Sequence, residues 1–301
     1  MLKKWSIGGL TIFRLEDVTR AEVRTVGGKS ASLGELLRSG FDVPDGFVLT
    51  ADTFARAQLV TDDHTREAGG ENDKIGDADL CEILLVALAP FGDAPLAVRS
   101  SGVDEDGGAA SFAGQHETYL NVRGLARVAE AVRGCWRSAH SERAKAYRAS
   151  RGLAVAAPHL AVLVQRLVAA DVSVVAFSAN PVTGGPDEVV IDATWGLGES
   201  LVGGTVTPDT YWVRKADLTV LQSRIVEKRR MSILASDGTR EVDVPRFLCT
   251  QPTLGSAQVR AVAQLVLALE RQMGWPVDVE CSFAGERLYL LQCRPITALS
   301  P

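Results

Sequence analysis

The stretch that most constrains this chain lies near its C-terminal end, where residues 277–297 read VDVECSFAGERLYLLQCRPIT. Apolar and polar residues alternate at period two on either side of Ala284-Gly285-Glu286-Arg287, which predicts two strands joined by a tight reversal. Asp278 and Glu280 share one face of the first strand, with Val277, Val279 and Cys281 on the other. Glu280, Gln292 and Arg294 then come near one another at the end of the hairpin. Left without partners in a buried place, such groups would cost roughly 1–3 kcal/mol each. A carboxylate with an amide oxygen suits a hard cation such as Mg2+, and a guanidinium fork suits a phosphate oxygen. The same residues also allow a plainer reading, a surface hairpin carrying a weak salt bridge.

Hairpin geometry makes the first reading testable. Directly opposed residues of an antiparallel pair point to the same face. If Glu280 and Gln292 ligate one ion, the simplest register sets them opposite each other and also sets Asp278 opposite Arg294. That register needs a connection with an odd number of residues, or an even one with a bulge that restores it.

Composition narrows the function classes. The 301 residues are 46% hydrophobic and 23% charged, an ordinary globular profile with ample material for a core. A net charge of −5 argues against nucleic-acid binding by phosphate neutralisation. Five scattered cysteines without a Cys-x-x-Cys pair argue against a disulfide framework or a zinc site, and a reducing cytoplasm is the expectation. The N-terminus lacks the apolar run of a signal peptide, and no stretch is long enough to span a membrane.

Along the chain, Gly27-Gly28-Lys29-Ser30 opens a helix that runs through Leu37 and stops at Gly40. It is not a P-loop, because the first glycine of that motif would fall at Val23. It remains a lysine in a Gly-rich turn at a helix N-terminus, which is either an anion site or a capping turn with a solvated lysine. Residues 51–59 and 80–89 read as helices, and the polar stretch 61–79 between them as an exposed loop. A strand ends at Arg99, followed by a small-residue tract at 100–114 that is either a phosphate-closing loop or a surface connection. Residues 125–151 read as one helical region. Strands are expected at 160–168, 172–179, 189–193, 211–213 and 219–226. A last helix starts near Ser256, its stripe of Val259, Val262, Leu265, Val266, Leu269 and Met273 closed by Gly274.

Several stretches, in order, resemble one family, the nucleotide-binding domain of pyruvate phosphate dikinase, phosphoenolpyruvate synthase and rifampin phosphotransferase. They are VGGKSASLGELL (26–37), VPDGFVLT (43–50), AVRSS (97–101), SFAGQHETYLNV (111–122), FSANPVTG (177–184), WGLGES (195–200) with TPDT (207–210), and the hairpin 277–297. The resemblance covers nearly all of residues 13–297. It implies an α+β fold of the ATP-grasp type across residues 1–301, with approximate lobes 1–185 and 186–301 holding ATP between them.

Carried over by position, it implies that Lys29 and Arg99 hold phosphate oxygens and that Gly114 and Thr118 belong to a loop over the triphosphate. Gln165, with the backbone of Arg166 and Leu167, would edge the adenine. Glu280 and Gln292 would ligate Mg2+, and Arg294 would bind the β- or γ-phosphate. Lys29, Arg99 and Arg294 would then carry the catalysis. Three positions depart from the family's usual residues. Cys281 stands where tryptophan is common, Val174 where glycine is common, and His116 where glutamine is usual.

The implied activity is a dikinase-type, AMP-forming phosphotransferase. It would pass a (pyro)phosphoryl group from MgATP to a histidine on a swivelling domain, and on to a small-molecule acceptor held by a further domain. Neither domain is recognisable here, and both are expected on a separate chain; the four histidines are His64, His116, His140 and His159. A module that binds ATP without chemistry, for regulation, is the alternative.

Overall fold

The computed structural model describes residues 4–55, 77–102, 117–150 and 160–296. It is an α+β protein with antiparallel sheets, and it divides into two compact units. The first takes the described residues up to Leu167 except 42–44. The second takes those from Val168 onward together with 42–44. Residue 185, where the sequence placed a lobe boundary, lies inside the second unit.

The first unit is built on six strands in the order β1-β2-β3-β6-β4-β5. These are β1 (Lys4–Ile7), β2 (Leu10–Arg14), β3 (Gly46–Leu49), β4 (Leu96–Gly102), β5 (Thr118–Val122) and β6 (Leu160–Arg166). Helix α1 (Val23–Arg38) contacts β4, β6 and β3. On the other face Leu96, Val98, Val162 and Val164 join a core completed by α2 (Asp77–Leu88) and α3 (Leu125–Ser138). The near-continuous apolar run of β6 is thus a central strand, with its first six residues buried. The expected helical region 125–151 is two helices, α3 and α4 (Glu142–Ser150). Residues 139–141 close three-residue turns, and Ser141 Oγ accepts from the Ala144 amide to start the new helix. Helix α2 begins at Asp77, inside the expected loop; residues 61–76 of that loop lie outside the described residues.

The second unit holds six strands in the order β10-β9-β8-β7-β13-β14 and a separate β11-β12 pair. They are β7 (Val172–Phe177), β8 (Glu188–Trp195), β9 (Asp209–Arg214), β10 (Val220–Arg224), β11 (Arg230–Leu234), β12 (Thr239–Asp243), β13 (Val277–Ala284) and β14 (Arg287–Pro295). A single turn, α5 (Glu199–Val202), follows the Gly-rich loop after β8. Helix α6 (Ser256–Met273) packs on β7, β8 and β13 and buries Val259, Val262, Val266 and Leu269 of the expected stripe, while Leu265 stays half-buried. Gly274 ends it in the left-handed conformation at φ 78°.

Among the described residues, β1–β2 and β11–β12 had no counterpart in the sequence reading. Both are short hairpins, with few residues to display a period.

Candidate functional site

In the first unit the site begins with a backbone constraint. Gly27 has φ 77° and ψ 163°, and an added Cβ would collide with the Ser101 carbonyl and hydroxyl. Only glycine fits, and regular helix starts after it. This close approach lets the Ser30 amide donate to Ser101 Oγ at 3.1 Å, and Lys29 Nζ to the Ser100 carbonyl at 3.2 Å. Lys29 is 7% exposed, so its ammonium is held against β4 one residue along from Arg99.

Register places the other candidates of this unit. Arg99 lies opposite Thr118 on β5 and Leu163 on β6, while Gln165 lies opposite Ala97. Arg99, Thr118 and Gln165 therefore share one sheet face, the face of Ser101 and α1. Gln165 is buried. The Arg166 amide donates to the Asp45 carbonyl and the Leu167 amide to the Pro95 carbonyl, each at 2.9 Å. The Arg166 guanidinium is forked on Asp45 at 2.9 and 3.4 Å. Gly114 lies outside the described residues, as do His64, His116 and His159.

In the second unit Glu280 lies opposite Gln292 and Asp278 opposite Arg294, the expected register. The turn itself is even, Gly285-Glu286, with Gly285 at φ 59°. From Ala284–Arg287 to Cys281–Leu290 the strands follow the two-residue turn; an irregularity beyond Cys281 then inserts Leu291 as an extra residue. Without it Glu280 would face Leu291 and Gln292 would point to the opposite side. The bulge is what puts a carboxylate and an amide on one face.

Following the pairing across the sheet, Gln292, Glu280, Val175, Asp192, Thr210 and Arg224 form one cross-strand row. Arg294 and Asp278 belong to the next row on the same face. The opposite face carries Val279, Cys281 and Ile191, all buried on the side of α6. Arg294 Nε donates to Asp278 Oδ2 at 2.8 Å. Asp278 Oδ1 is buried and accepts no hydrogen bond among the described residues. Burial pushes the Asp278 carboxyl above the usual range; Arg294 pulls it down and the Glu280 charge pushes it up again. An all-oxygen donor set beside an orphaned carboxylate oxygen fits a hard divalent cation, which binds through one or two carboxylates and keeps waters.

Two residues on this face went unselected in the sequence reading. Asp278 had a signal, period-two spacing from Glu280 and a register opposite Arg294. Asp192 had none, because only the pairing across β7 brings it to that face.

Comparison with known proteins follows the same lines. A family model described as pyruvate phosphate dikinase, AMP/ATP-binding domain, matches residues 77–301. The chain is 35% identical over 314 residues to a probable phosphoenolpyruvate synthase of Methanocaldococcus jannaschii, covering 95% of this chain and 26% of that protein. It is 35% identical over 316 residues to a rifampicin phosphotransferase of Streptomyces sviceus, covering 96% and 36%. It is 32% identical over 357 residues to a phosphoenolpyruvate synthase of Pyrococcus furiosus, covering 94% and 43%. In each case the chain spans less than half the length of the relative.

Proposed function

The chain belongs to the pyruvate phosphate dikinase AMP/ATP-binding domain family, and from that premise we propose that it binds MgATP in an ATP-grasp arrangement and acts as a phosphotransferase. Its product would be a (pyro)phosphorylated histidine on a partner domain or chain, with AMP as the final nucleotide. A small molecule, bound elsewhere, would be the last acceptor, and the setting would be cytoplasmic.

The observation that carries this reading is the bulge-restored pairing of Glu280 with Gln292 beside Asp278 and Arg294. Two oxygen donors on one face would hold Mg2+, which when bound supplies charge neutralisation on the phosphates. Lys29 would bring a point charge and Arg99 a fork to phosphate oxygens, with Thr118 and Gly114 near them. Gln165, with the backbone of Arg166 and Leu167, would edge the adenine. Arg294, steadied by Asp278, would meet the β- or γ-phosphate. Catalysis would be electrostatic, since fixed cationic groups stabilise charge that spreads over the transferred group.

Titration calorimetry tests this. MgATP is expected to bind with a micromolar dissociation constant, about −8 kcal/mol. Lys29→Ala and Arg99→Ala should each weaken binding by about 1.5–3 kcal/mol, the worth of a charge-assisted contact. Glu280→Gln should remove most of the Mg2+ dependence. Unchanged affinity in all three variants would refute the site.

A further inference from the structure

We propose that Asp42 is a positioning residue for the metal site: it clamps the edge strand β14 just ahead of the bulge and so keeps Gln292 in place opposite Glu280. The inference rests on the MgATP reading above.

Residues 42–44 belong to the second unit, although their chain neighbours on both sides belong to the first. In that unit β14 is an outermost strand of its sheet, with no further strand beside it among the described residues. Asp42 grips this strand at two points. Its carbonyl accepts from the Leu290 amide at 2.8 Å, and its Oδ1 accepts from Arg287 Nη2 at 2.6 Å. The Arg287 guanidinium also lies over the Tyr289 ring, 4.8 Å from its centroid. The two points bracket residues 287–290, the stretch between the two-residue turn and the extra residue Leu291. The turn has a tie of its own, from the Gly285 amide to Asp171 Oδ2 at 2.7 Å. Closing the hairpin therefore does not require Asp42.

What Asp42 secures is the approach to the bulge. A bulge disrupts the ladder where it sits, and here the irregularity falls between Cys281 and Glu280 on β13. The inner side of β14 is thus least regular next to Gln292, and the outer side carries the Leu290 bond two residues away. Stability and ligation respond differently to such a clamp. The Arg287 and Asp42 side chains are 61% and 53% exposed, and an exposed pair adds little to folding. A metal ligand must be held within about 0.5 Å of its productive position, so contacts behind it show in metal affinity. Loss of the clamp should accordingly be felt at the metal and hardly at all in folding.

The test measures Mn2+ affinity of the full chain by electron paramagnetic resonance, with a non-hydrolysable ATP analogue present, beside the urea midpoint of each variant. Asp42→Ala and Arg287→Ala are each expected to weaken Mn2+ by about fivefold, less than the roughly tenfold or more that follows loss of a direct contact to a metal ligand. Their urea midpoints should stay at the wild-type value. The Leu290 amide should exchange its hydrogen faster in Asp42→Ala. Asp42→Asn, which keeps an acceptor for Arg287, should retain most of the Mn2+ affinity. Unchanged affinity in both alanine variants overturns this inference alone. A loss accompanied by a lower urea midpoint also overturns it, since that marks general destabilisation, and so does an Asp42→Asn variant as weak as Asp42→Ala. A wild-type chain that binds no Mn2+ with the analogue overturns the MgATP reading and this inference with it.

Discussion

Asp209 and Lys228 have side chains exposed by 0% and 1%, with Nζ and Oδ1 2.6 Å apart. The pair is fully satisfied: Asp209 also accepts from the amides of Val226 and Thr253 and from the Thr253 hydroxyl, while Lys228 donates to the Val226 carbonyl. Removing one member of such a pair strands a charge in the interior. Asp209→Ala should therefore cost about 3–5 kcal/mol in denaturant unfolding. Loss of the exposed Arg229–Glu227 pair should be hard to detect beside it. Comparable losses from the two would contradict the argument. Burial also governs the thiols, pushing Cys135 and Cys281 up to about 12 from 9.0. A raised folded-state value means stability is whole below 9 and is lost as pH climbs toward 12, because only the unfolded chain gives up these protons. Cys135→Ala with Cys281→Ala should flatten that decline; an unchanged alkaline profile would refute it. At this scale the sequence was legible where a residue's neighbours in the chain carried its meaning. Lys29 stood in a Gly-rich helix start and Arg99 at a strand end. Asp209 sat in a recognised stretch, yet nothing local pointed to Lys228, nineteen residues on, as its partner.

Cys281 and Val174 were noted separately as departures from the family's usual tryptophan and glycine. The pairing makes them one feature, because they lie directly opposite each other on β13 and β7 and are 1% and 2% exposed. Both are on the face packed by α6, away from the candidate ligands. A large residue opposite none has been exchanged for two of middling size, which conserves volume in a close-packed layer. Cys281→Trp alone should overpack this layer and cost about 1–3 kcal/mol. Adding Val174→Gly should recover part of that loss, with a coupling of about 0.5–3 kcal/mol between the two sites. Strict additivity in unfolding free energies would show that the positions do not trade volume. Elements themselves were readable in proportion to their length and period. The stripe of α6 and the alternation of β13 gave both away, and the requirement that Glu280 face Gln292 left two outcomes, an odd connection or an even turn with a bulge, of which the second is found. The break between α3 and α4 was hidden because Ser138 to Ser141 sit inside an otherwise helical composition, and a serine cap shows itself only once the turn exists.

For the molecule as a whole, the proposed chemistry needs a nucleophile to receive the phosphoryl group. His140 is the one histidine among the described residues; it is exposed in the turn between α3 and α4, with its ring 5.9 Å from that of Phe54. The three relatives are each more than twice as long as the region they share with this chain. Binding and turnover should accordingly separate. With MgATP and no other protein, the chain is expected to bind nucleotide while mass spectrometry finds AMP accumulating only slowly and acid-labile label on the chain far below one per molecule. Adding a histidine-bearing partner domain should raise both by orders of magnitude, because positioning a nucleophile in line supplies most of what phosphoryl transfer asks of a protein. Rapid stoichiometric labelling of one of the chain's own histidines, His116 above all, would remove the need for a partner. Continued absence of AMP with every candidate partner, while MgATP still binds, would turn the reading to a regulatory nucleotide sensor, in which the same lysine, arginines and carboxylates hold ATP without passing it on.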